Sequence, residues 1–449
     1  MERQHRIWIL TYLACVCALI WPALYNGYPL LYSDTASYVA SGMRLETPAD
    51  RPITYGLFIR ITSIGGFTLW TTIASQAALM VRLIELLLRR LRPYSKPAPG
   101  ALALIVLVLA LTTSLPWVVS QVMADIYTPM MVLCMVLLVL SNEAARHPYQ
   151  RVLLYLLFFF TVAAHLSHPV LAVILLSFLL VLRSVLHCWT DIRLAIRPIG
   201  IMFGLAIAAY PIMSSATVKS GNVLFMGSMV EHGVTRAYLE EHCANEAYKL
   251  CAWKDRFPER AFQLHWDQTG AMGSYSGWPE ASEEFGRIIR GTLSEPKYIA
   301  LHIKASLAAT WKQLGMYEIG DGWGSFKEGT GVYYILERHM RHDMWAMTKS
   351  RQYVAEMTWI QGFMPVHTWV LRIALVVLLP LMIVAFRSRN AALITLFTLV
   401  LSGTVLSAWG SGTFSGEVDR FGCKMIWLLP MLLLLATGAL VQARKLRRD

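Results

Sequence analysis

Apolar and polar positions alternate along this chain in long blocks rather than in short amphipathic periods. Apolar runs near the ~20 residues that cross a bilayer as a helix recur at 7–24, 67–88, 101–119, 122–141, 150–166, 168–186, 198–214, 367–386, 390–408 and 422–442. The expected fold class is therefore an all-α polytopic membrane protein with about ten transmembrane helices. The pairs 101–119/122–141 and 150–166/168–186 read as hairpins with almost no loop. Their turns are marked by Ser114-Leu115-Pro116 and Ser167-His168-Pro169.

Three parts follow: 1–214 with seven spans and a first outer loop at 25–66, an outer domain at 215–366, and three further spans in 367–449. The outer domain opens on polar, turn-rich sequence and then reads helical. The stretch 283–293 has an apolar face of Phe285, Ile288 and Ile289. Ser294-Glu295-Pro296 reads as a second helix start, with serine as cap and proline in the first turn. Tyr298, Leu301, Ala305 and Ala308 recur there at helical spacing, which predicts a helix able to lie on a membrane surface. The Gly-rich piece 315–331 reads as a loop over the mouth of the bundle. Gly320-Asp321-Gly322-Trp323-Gly324 follows no strand and is no nucleotide loop.

Composition supports this picture: of 449 residues, 56% are hydrophobic and only 15% charged, too apolar for a soluble protein of this size. The first segment has a basic start (Arg3, Arg6) with no small-residue cleavage site behind it, and reads as an uncleaved signal anchor. Ten spans place Arg3, Arg6, Arg89, Arg90, Arg92, Lys96, Arg146, Arg151, Arg183, Arg193, Arg197, Arg387, Arg389 and the tail Arg444-Lys445-Leu446-Arg447-Arg448 on one side. The opposite short loops hold Arg44, Arg51, Arg60 and Arg420. By the positive-inside rule the first side is cytoplasmic, with both termini. The net charge of +12 is largely this bias, so nucleic acid is not an expected partner; membrane lipid is. Cys243 and Cys251, eight residues apart on the outward side, are either a disulfide or two free thiols. Cys15, Cys17, Cys134, Cys188 and Cys423 read as small apolar fillers, and no Cys/His spacing resembles a zinc site.

Against this apolar background the outward charges stand out. Asp34, in Tyr32-Ser33-Asp34-Thr35-Ala36-Ser37-Tyr38, lies just past the first span, where a carboxylate needs a partner or a task. Partial desolvation is expected to raise its proton affinity, which suits a general base on a hydroxyl. Its other reading is a cap for a short helix at 35–41. Tyr32 and Tyr38 are placed to shape a polyol pocket. Arg51, in Arg51-Pro52-Ile53-Thr54-Tyr55-Gly56, either holds an anion or pairs with Glu46 or Asp50. Asp125 begins the fourth span, as a second acid at the same depth or as a helix-start acid favoured by the dipole. His165 and His168 sit at a hairpin tip as phosphate or hydroxyl contacts, or as interfacial polar tips. Glu417, Arg420 and Lys424 precede or begin the last span. The two cations run against the charge bias and suit a phosphate at headgroup depth, or an ion pair with Asp419 or Asp34.

With Ser33-Asp34-Thr35-Ala36-Ser37-Tyr38 after the first span, Arg51-Pro52-Ile53-Thr54-Tyr55 behind it, Asp125 near the fourth span, and Asp419-Arg420-Phe421 leading into Trp427-Leu428-Leu429-Pro430, the chain resembles the GT-C superfamily of integral-membrane glycosyltransferases. It departs from that pattern in having no acid adjacent to Asp34, and Phe421 where tyrosine is frequent. The resemblance implies an inverting transferase of a bacterial inner (cytoplasmic) membrane with a periplasmic active site. A polyprenyl-phosphate sugar would be the donor, and a glycan, lipid or protein the acceptor. It makes Asp34 the base and Arg420, with Lys424 and His168, the phosphate clamp. Asp125 and Arg51 would position sugar or acceptor, and Trp253, Trp266, Trp278 and Trp323 are candidate sugar platforms. No cofactor is expected, and the lone Asp34 does not favour a divalent metal. The alternative is a transporter or flippase of lipid-linked glycans, which would need polar or broken helices at mid-membrane. The nearest mid-span charges are Arg82 and Glu85, a prospective pair. An acyl-transferring or O-antigen-ligase-like enzyme is a further rival, without a His-Asp acyl motif in a suitable loop.

Overall fold

The computed structural model describes residues 2–48, 50–91, 98–140, 148–185, 190–214, 218–358 and 360–445. Arg92, Lys96, Arg146, Cys188 and the end of the basic tail lie outside the described residues. Among those described the chain is helical, with one isolated parallel bridge, Leu30 to Gln121. Five helices are long and apolar enough to cross a membrane: Trp70–Leu91, Ile196–Met213, Ile360–Arg387, Ala391–Phe414 and Asp419–Gln442. Pro99–Thr112, Ala124–Val139, Tyr149–Ala163 and His168–Val181 are apolar but shorter.

Four expected spans are interrupted. The run 7–24 breaks at Ile20 into Glu2–Leu19 and Trp21–Asn26, because Pro22, in the first turn of the second piece, lacks the N–H that would continue the first. Between Thr112 and Tyr127 the chain forms a short helix, Leu115–Ser120, an extended stretch, and a single turn, Ala124–Ile126. The runs 101–119 and 122–141 are thus not continuous helices. Irregular backbone at such a place must be satisfied from within the protein. Here Leu30 supplies both bonds: its N–H donates to the Ser120 carbonyl at 2.9 Å, and its carbonyl accepts from Val122 at 2.9 Å. The last run is divided at Trp427.

Most of the apolar helices share one core, and Val223, Met226, Leu239, Phe285 and Ile288 centre a second. The expected outer domain divides between them. Its polar start is helix rather than turns, Val218–Glu231 and Val234–His242, and with Trp278–Ser294 it builds the second core. Ile319, Val332, Leu336, Met340 and Met347 instead bury into the first. Cys243 and Cys251 form a disulfide. Glu295 stands at the N-cap of the helix Pro296–Leu314 without a side-chain capping bond; Ser294 ends the preceding helix and its hydroxyl donates to the Gly291 carbonyl. The buried face of Pro296–Leu314 is Tyr298, Ala309 and Gln313, not Leu301 and Ala308. Ile299, Ile303, Leu307 and Trp311 are exposed at four-residue intervals. Glu85, buried in Trp70–Leu91, pairs with Arg82 and Arg89 and accepts the Tyr12 hydroxyl.

Two glycines set the approach of the helices that carry the first loop. Thr35–Arg44 and Thr54–Thr62 meet backbone to backbone at Gly42 and Gly56. A Cβ on Gly42 would lie 2.0 Å from the Gly56 carbonyl oxygen, and one on Gly56 would lie 2.4 Å from the Ser41 hydroxyl. Gly42→Ala must therefore push the helices apart. It should destabilise the protein by about 1–3 kcal/mol, the usual range for overpacking. A thermal melt of the purified protein in detergent checks this; an unchanged midpoint would mean the contact is dispensable.

Candidate active site

Asp34 is placed by the chain before it. The helix Trp21–Asn26 stops at Gly27, whose φ of 84° is left-handed and favours glycine there. The next residues run extended, pinned on both sides. Leu30 bonds to Ser120 and Val122. Leu31 donates to the Gln352 side chain at 2.9 Å and accepts from it at 2.8 Å. Thr35 then closes the turn, accepting the Tyr32 N–H at 2.9 Å and donating to the Val122 carbonyl at 3.1 Å. Asp34 stands at the N-cap of Thr35–Arg44, yet its side chain makes no capping bond.

Its carboxylate is instead shared by two arginines. Oδ1 lies 3.1 Å from Arg51 Nη2 and Oδ2 lies 3.3 Å from Arg420 Nη1. Arg420 reaches on to Asp125, with Nε 3.5 Å from Oδ2, and Asp125 Oδ1 lies 3.3 Å from Lys424 Nζ. Arg51 also holds Asp50 at 2.5 Å. Three carboxylates and three cations thus form one chain, Asp50–Arg51–Asp34–Arg420–Asp125–Lys424. Asp125 and Lys424 are each only 3% exposed, so each requires the other.

Aromatic rings enclose this chain of charges. The Arg420 guanidinium lies 4.2 Å from the Tyr32 ring centre and 5.1 Å from that of Phe421. Lys424 lies 4.9 Å from Phe421, and Arg51 4.9 Å from Tyr38. Such cation–π contacts are worth more once desolvated. Tyr38 packs edge-on to Tyr55, whose hydroxyl donates to Gln76 at 2.6 Å. Gln76 in turn donates to the carbonyls of Val119 and Gln121.

The Gly-rich loop after Leu314 covers the cluster. Asp321 accepts the Arg420 backbone N–H at 3.3 Å, and Gly322, at φ 72°, lies so close to Tyr32 that a Cβ would be 2.2 Å from its ring. Gly422 faces the Met316 carbonyl with no room for a side chain. Beneath this loop Trp117, Gln121, Asp125, Asp321, Trp323 and Arg420 line a cavity of about 20 Å³. That suffices for a water but is far below the roughly 300–1,000 Å³ of small-molecule pockets.

Several expectations are corrected. Burial alone would raise the proton affinity of Asp34, but Arg51 and Arg420 outweigh it and hold the carboxyl below its usual range. Asp34 is therefore a firm anion in this state, not a raised base. His168 is no free phosphate contact: it is buried, with one ring nitrogen 2.8 Å from the Thr128 hydroxyl and the other 2.5 Å from the Thr161 carbonyl. It braces the hairpin. His165 is half-buried, its ring 5.2 Å from that of His168 and its Nδ1 3.0 Å from the Ser167 hydroxyl.

Glu417 belongs elsewhere. It pairs with His232 at 2.8 Å and Lys312 at 3.1 Å, and Arg260 lies 3.6 Å from the neighbouring Glu231. Gln313 exchanges two bonds with Val418. This second cluster clamps the strand of chain that delivers Arg420. The sequence pointed to Glu417 but not to Glu231, His232, Arg260 or Lys312, nor to Gln352 and Asp343. Asp343 is buried and accepts the Tyr28 hydroxyl and the Leu69 N–H. Among the described residues no group of three or more His, Cys, Asp or Glu is arranged to hold a metal. No family model, curated protein or solved structure matches this chain.

Two outcomes follow. Lys424→Met leaves Asp125 buried beside Arg420 alone and should cost about 3 kcal/mol; adding Asp125→Asn should recover much of it. Thermal melts of the single and double variants measure this, and additive losses would mean the two side chains are not coupled. The clamp should also titrate. Burial would lower the proton affinity of His232, but its bonds to Glu417 and the Ser228 carbonyl reverse this and raise it above 6.5. Burial would raise Glu417, but His232, Glu231 and Lys312 bring it from 4.5 down to about 2. The His232 contribution is complete below 6.5 and fades as pH rises through its raised value. The Glu417 contribution is complete above 4.5 and fades toward about 2. The stability gap between wild type and His232→Gln should be widest between these limits and narrow at alkaline pH. A gap that is flat with pH would contradict the pairing.

Proposed function

We propose that this chain is a membrane glycosyltransferase of the GT-C kind, moving a sugar from a polyprenyl-phosphate donor to an acceptor outside the cytoplasm. The observation that carries it is Arg420 lying between Asp34 and Asp125, at the entry to a candidate membrane span. Three cations gather there, roofed by aromatic rings and a Gly-rich loop. A lipid phosphate approaching from the bilayer meets charge at headgroup depth, where dedicated cations are otherwise expensive.

The chemistry divides among these groups. The acceptor hydroxyl attacks the anomeric carbon, the bond to the phosphate oxygen breaks, and the phosphate leaves with both electrons. Arg420 and Lys424 offset the charge that develops on that phosphate. Asp34 takes the hydroxyl proton. In the resting arrangement its two arginines make it a weak base. A bound phosphate competes for Arg420, and drawing that guanidinium away removes one of the charges that depress Asp34. Donor binding therefore activates the base. The small cavity requires the loop bearing Asp321 and Trp323 to lift when substrates enter.

Asp34→Asn should lower release of polyprenyl phosphate by about 10²–10⁴-fold, the usual weight of a general base, while donor binding is kept or tightened, because the side chain no longer competes as an anion for Arg420. Arg420→Gln should weaken donor binding instead. Protein in liposomes with a panel of polyprenyl-phosphate sugars provides the assay. Full turnover by the Asp34→Asn variant would overturn the assignment.

A further inference from the structure

A groove separate from the charge cluster lies on the segment that follows the Gly-rich loop. Tyr333, Glu337, Arg338, Arg341, Trp345 and Thr348 line a shallow space of about 640 Å³ that is wide open to the surroundings. Arg338 and Arg341 are exposed, and among the described residues neither enters an ion pair. Trp345 is 71% exposed, with the Lys349 ammonium 4.3 Å from its ring centre. Arg338 and Arg341 thus line the groove with one carboxylate, Glu337, and Lys349 stands against Trp345 at its edge. Guanidinium forks of this kind match phosphate oxygens in pairs.

An apolar fringe adjoins this cationic groove. Gly66 lies against the His339 carbonyl, where a Cβ would sit 2.5 Å away, and the Phe67 ring is 4.9 Å from that of His342. Ile61, Ile64 and Phe67 are 76%, 68% and 54% exposed. Ile64 is held at φ 57°, a conformation a β-branched residue rarely adopts. Trp70–Leu91, a candidate membrane span, begins three residues after Phe67. Single exposed apolar residues need no explanation. Three of them beside unpaired arginines, at the mouth of a span, match a ligand with a charged head and a hydrocarbon body.

The groove is also tied to the Asp34 site. The helix Gly331–His339 packs along Thr35–Arg44, which Asp34 heads. Asp343, beside Arg341, holds Tyr28 at 2.9 Å and Leu69 at 2.7 Å. Ligand in the groove would thus rest on elements that position Asp34.

We infer that this groove binds the phosphate-monoester headgroup of an amphiphile whose chains lie along Ile61, Ile64 and Phe67. The test is calorimetric titration of the purified protein in a neutral detergent with three probes: dihexanoyl phosphatidic acid, glycerol 3-phosphate and dihexanoyl phosphatidylcholine. Phosphatidic acid should bind, and the other two should bind at least about tenfold more weakly, glycerol 3-phosphate because it has no chains and phosphatidylcholine because its choline cation offsets and blocks its single phosphodiester charge; equal binding of phosphatidylcholine would overturn recognition of the anionic phosphate. Arg338→Gln with Arg341→Gln should weaken phosphatidic acid by about tenfold or more, without a change in melting temperature because both side chains are exposed. Lys304→Gln, an exposed cation on the separate helix Pro296–Leu314, should leave binding intact. Equal binding of glycerol 3-phosphate would mean a free-phosphate site and overturn the amphiphile. Wild-type affinity in the double arginine variant would overturn the groove. Since none of these readouts requires sugar transfer, failure of the transferase reading leaves them standing.

Discussion

Arg420 lies within ion-pair distance of two carboxylates, Asp34 at 3.3 Å and Asp125 at 3.5 Å, and much of the surrounding fold holds it there. A buried carboxylate is tolerable only with a partner, and a buried pair only with good geometry. Asp125 and Lys424 satisfy each other at 3% exposure; Arg51 supplies the second cation on Asp34. The flanking backbone follows this demand. Extended chain at 28–31 is stitched to 120–122 and to Gln352 so that Asp34 arrives from one side. The turn Ala124–Ile126 brings Asp125 from another, and the helix Asp419–Ile426, pressed through Gly422 onto the Met316 carbonyl, brings Arg420 and Lys424. Regular helices alone would not bring these four residues together; the breaks in four expected spans are what permits it.

A cluster that neutralises itself is stable at rest and responsive to an incoming anion. On the proposed reading the carboxylates occupy the positions that a phosphate would take, so binding would be an exchange of partners rather than the filling of an empty site. On the proposed reading this exchange links donor binding to the basicity of Asp34 without moving the backbone that holds it. The second cluster, around Glu417 and His232, acts at one remove. It steadies the chain entering Asp419–Ile426 and so links the second core to the position of Arg420.

Much of the charge cluster was legible in the sequence because charge is rare there. Asp34, Arg51, Asp125, Arg420 and Lys424 stood out against apolar runs at one membrane face, and desolvation makes such residues informative. Local context misled for Glu417, which is near Arg420 in sequence yet faces Lys312 and His232 from distant elements. His168 looked like a hairpin tip, but Thr128 and Thr161 close over it. Asp343, Gln352 and Gln76 gave no local sign, since their partners lie far along the chain. Hydropathy alone read 7–24 and 101–119 as continuous, because apolar content does not distinguish a helix from a helix with a break at proline. In Pro296–Leu314 two apolar stripes compete, and tertiary packing buries the one with Tyr298, Ala309 and Gln313.

Whether a lipid phosphate exchanges with carboxylate on Arg420 can be seen in a structure of the protein in lipid with a polyprenyl phosphate bound. Phosphate oxygens should lie within hydrogen-bond distance of the Arg420 guanidinium, with Asp34 released from it but still beside Arg51. A phosphate bound away from Arg420, with the Asp34–Arg420–Asp125 chain unchanged, would contradict the exchange.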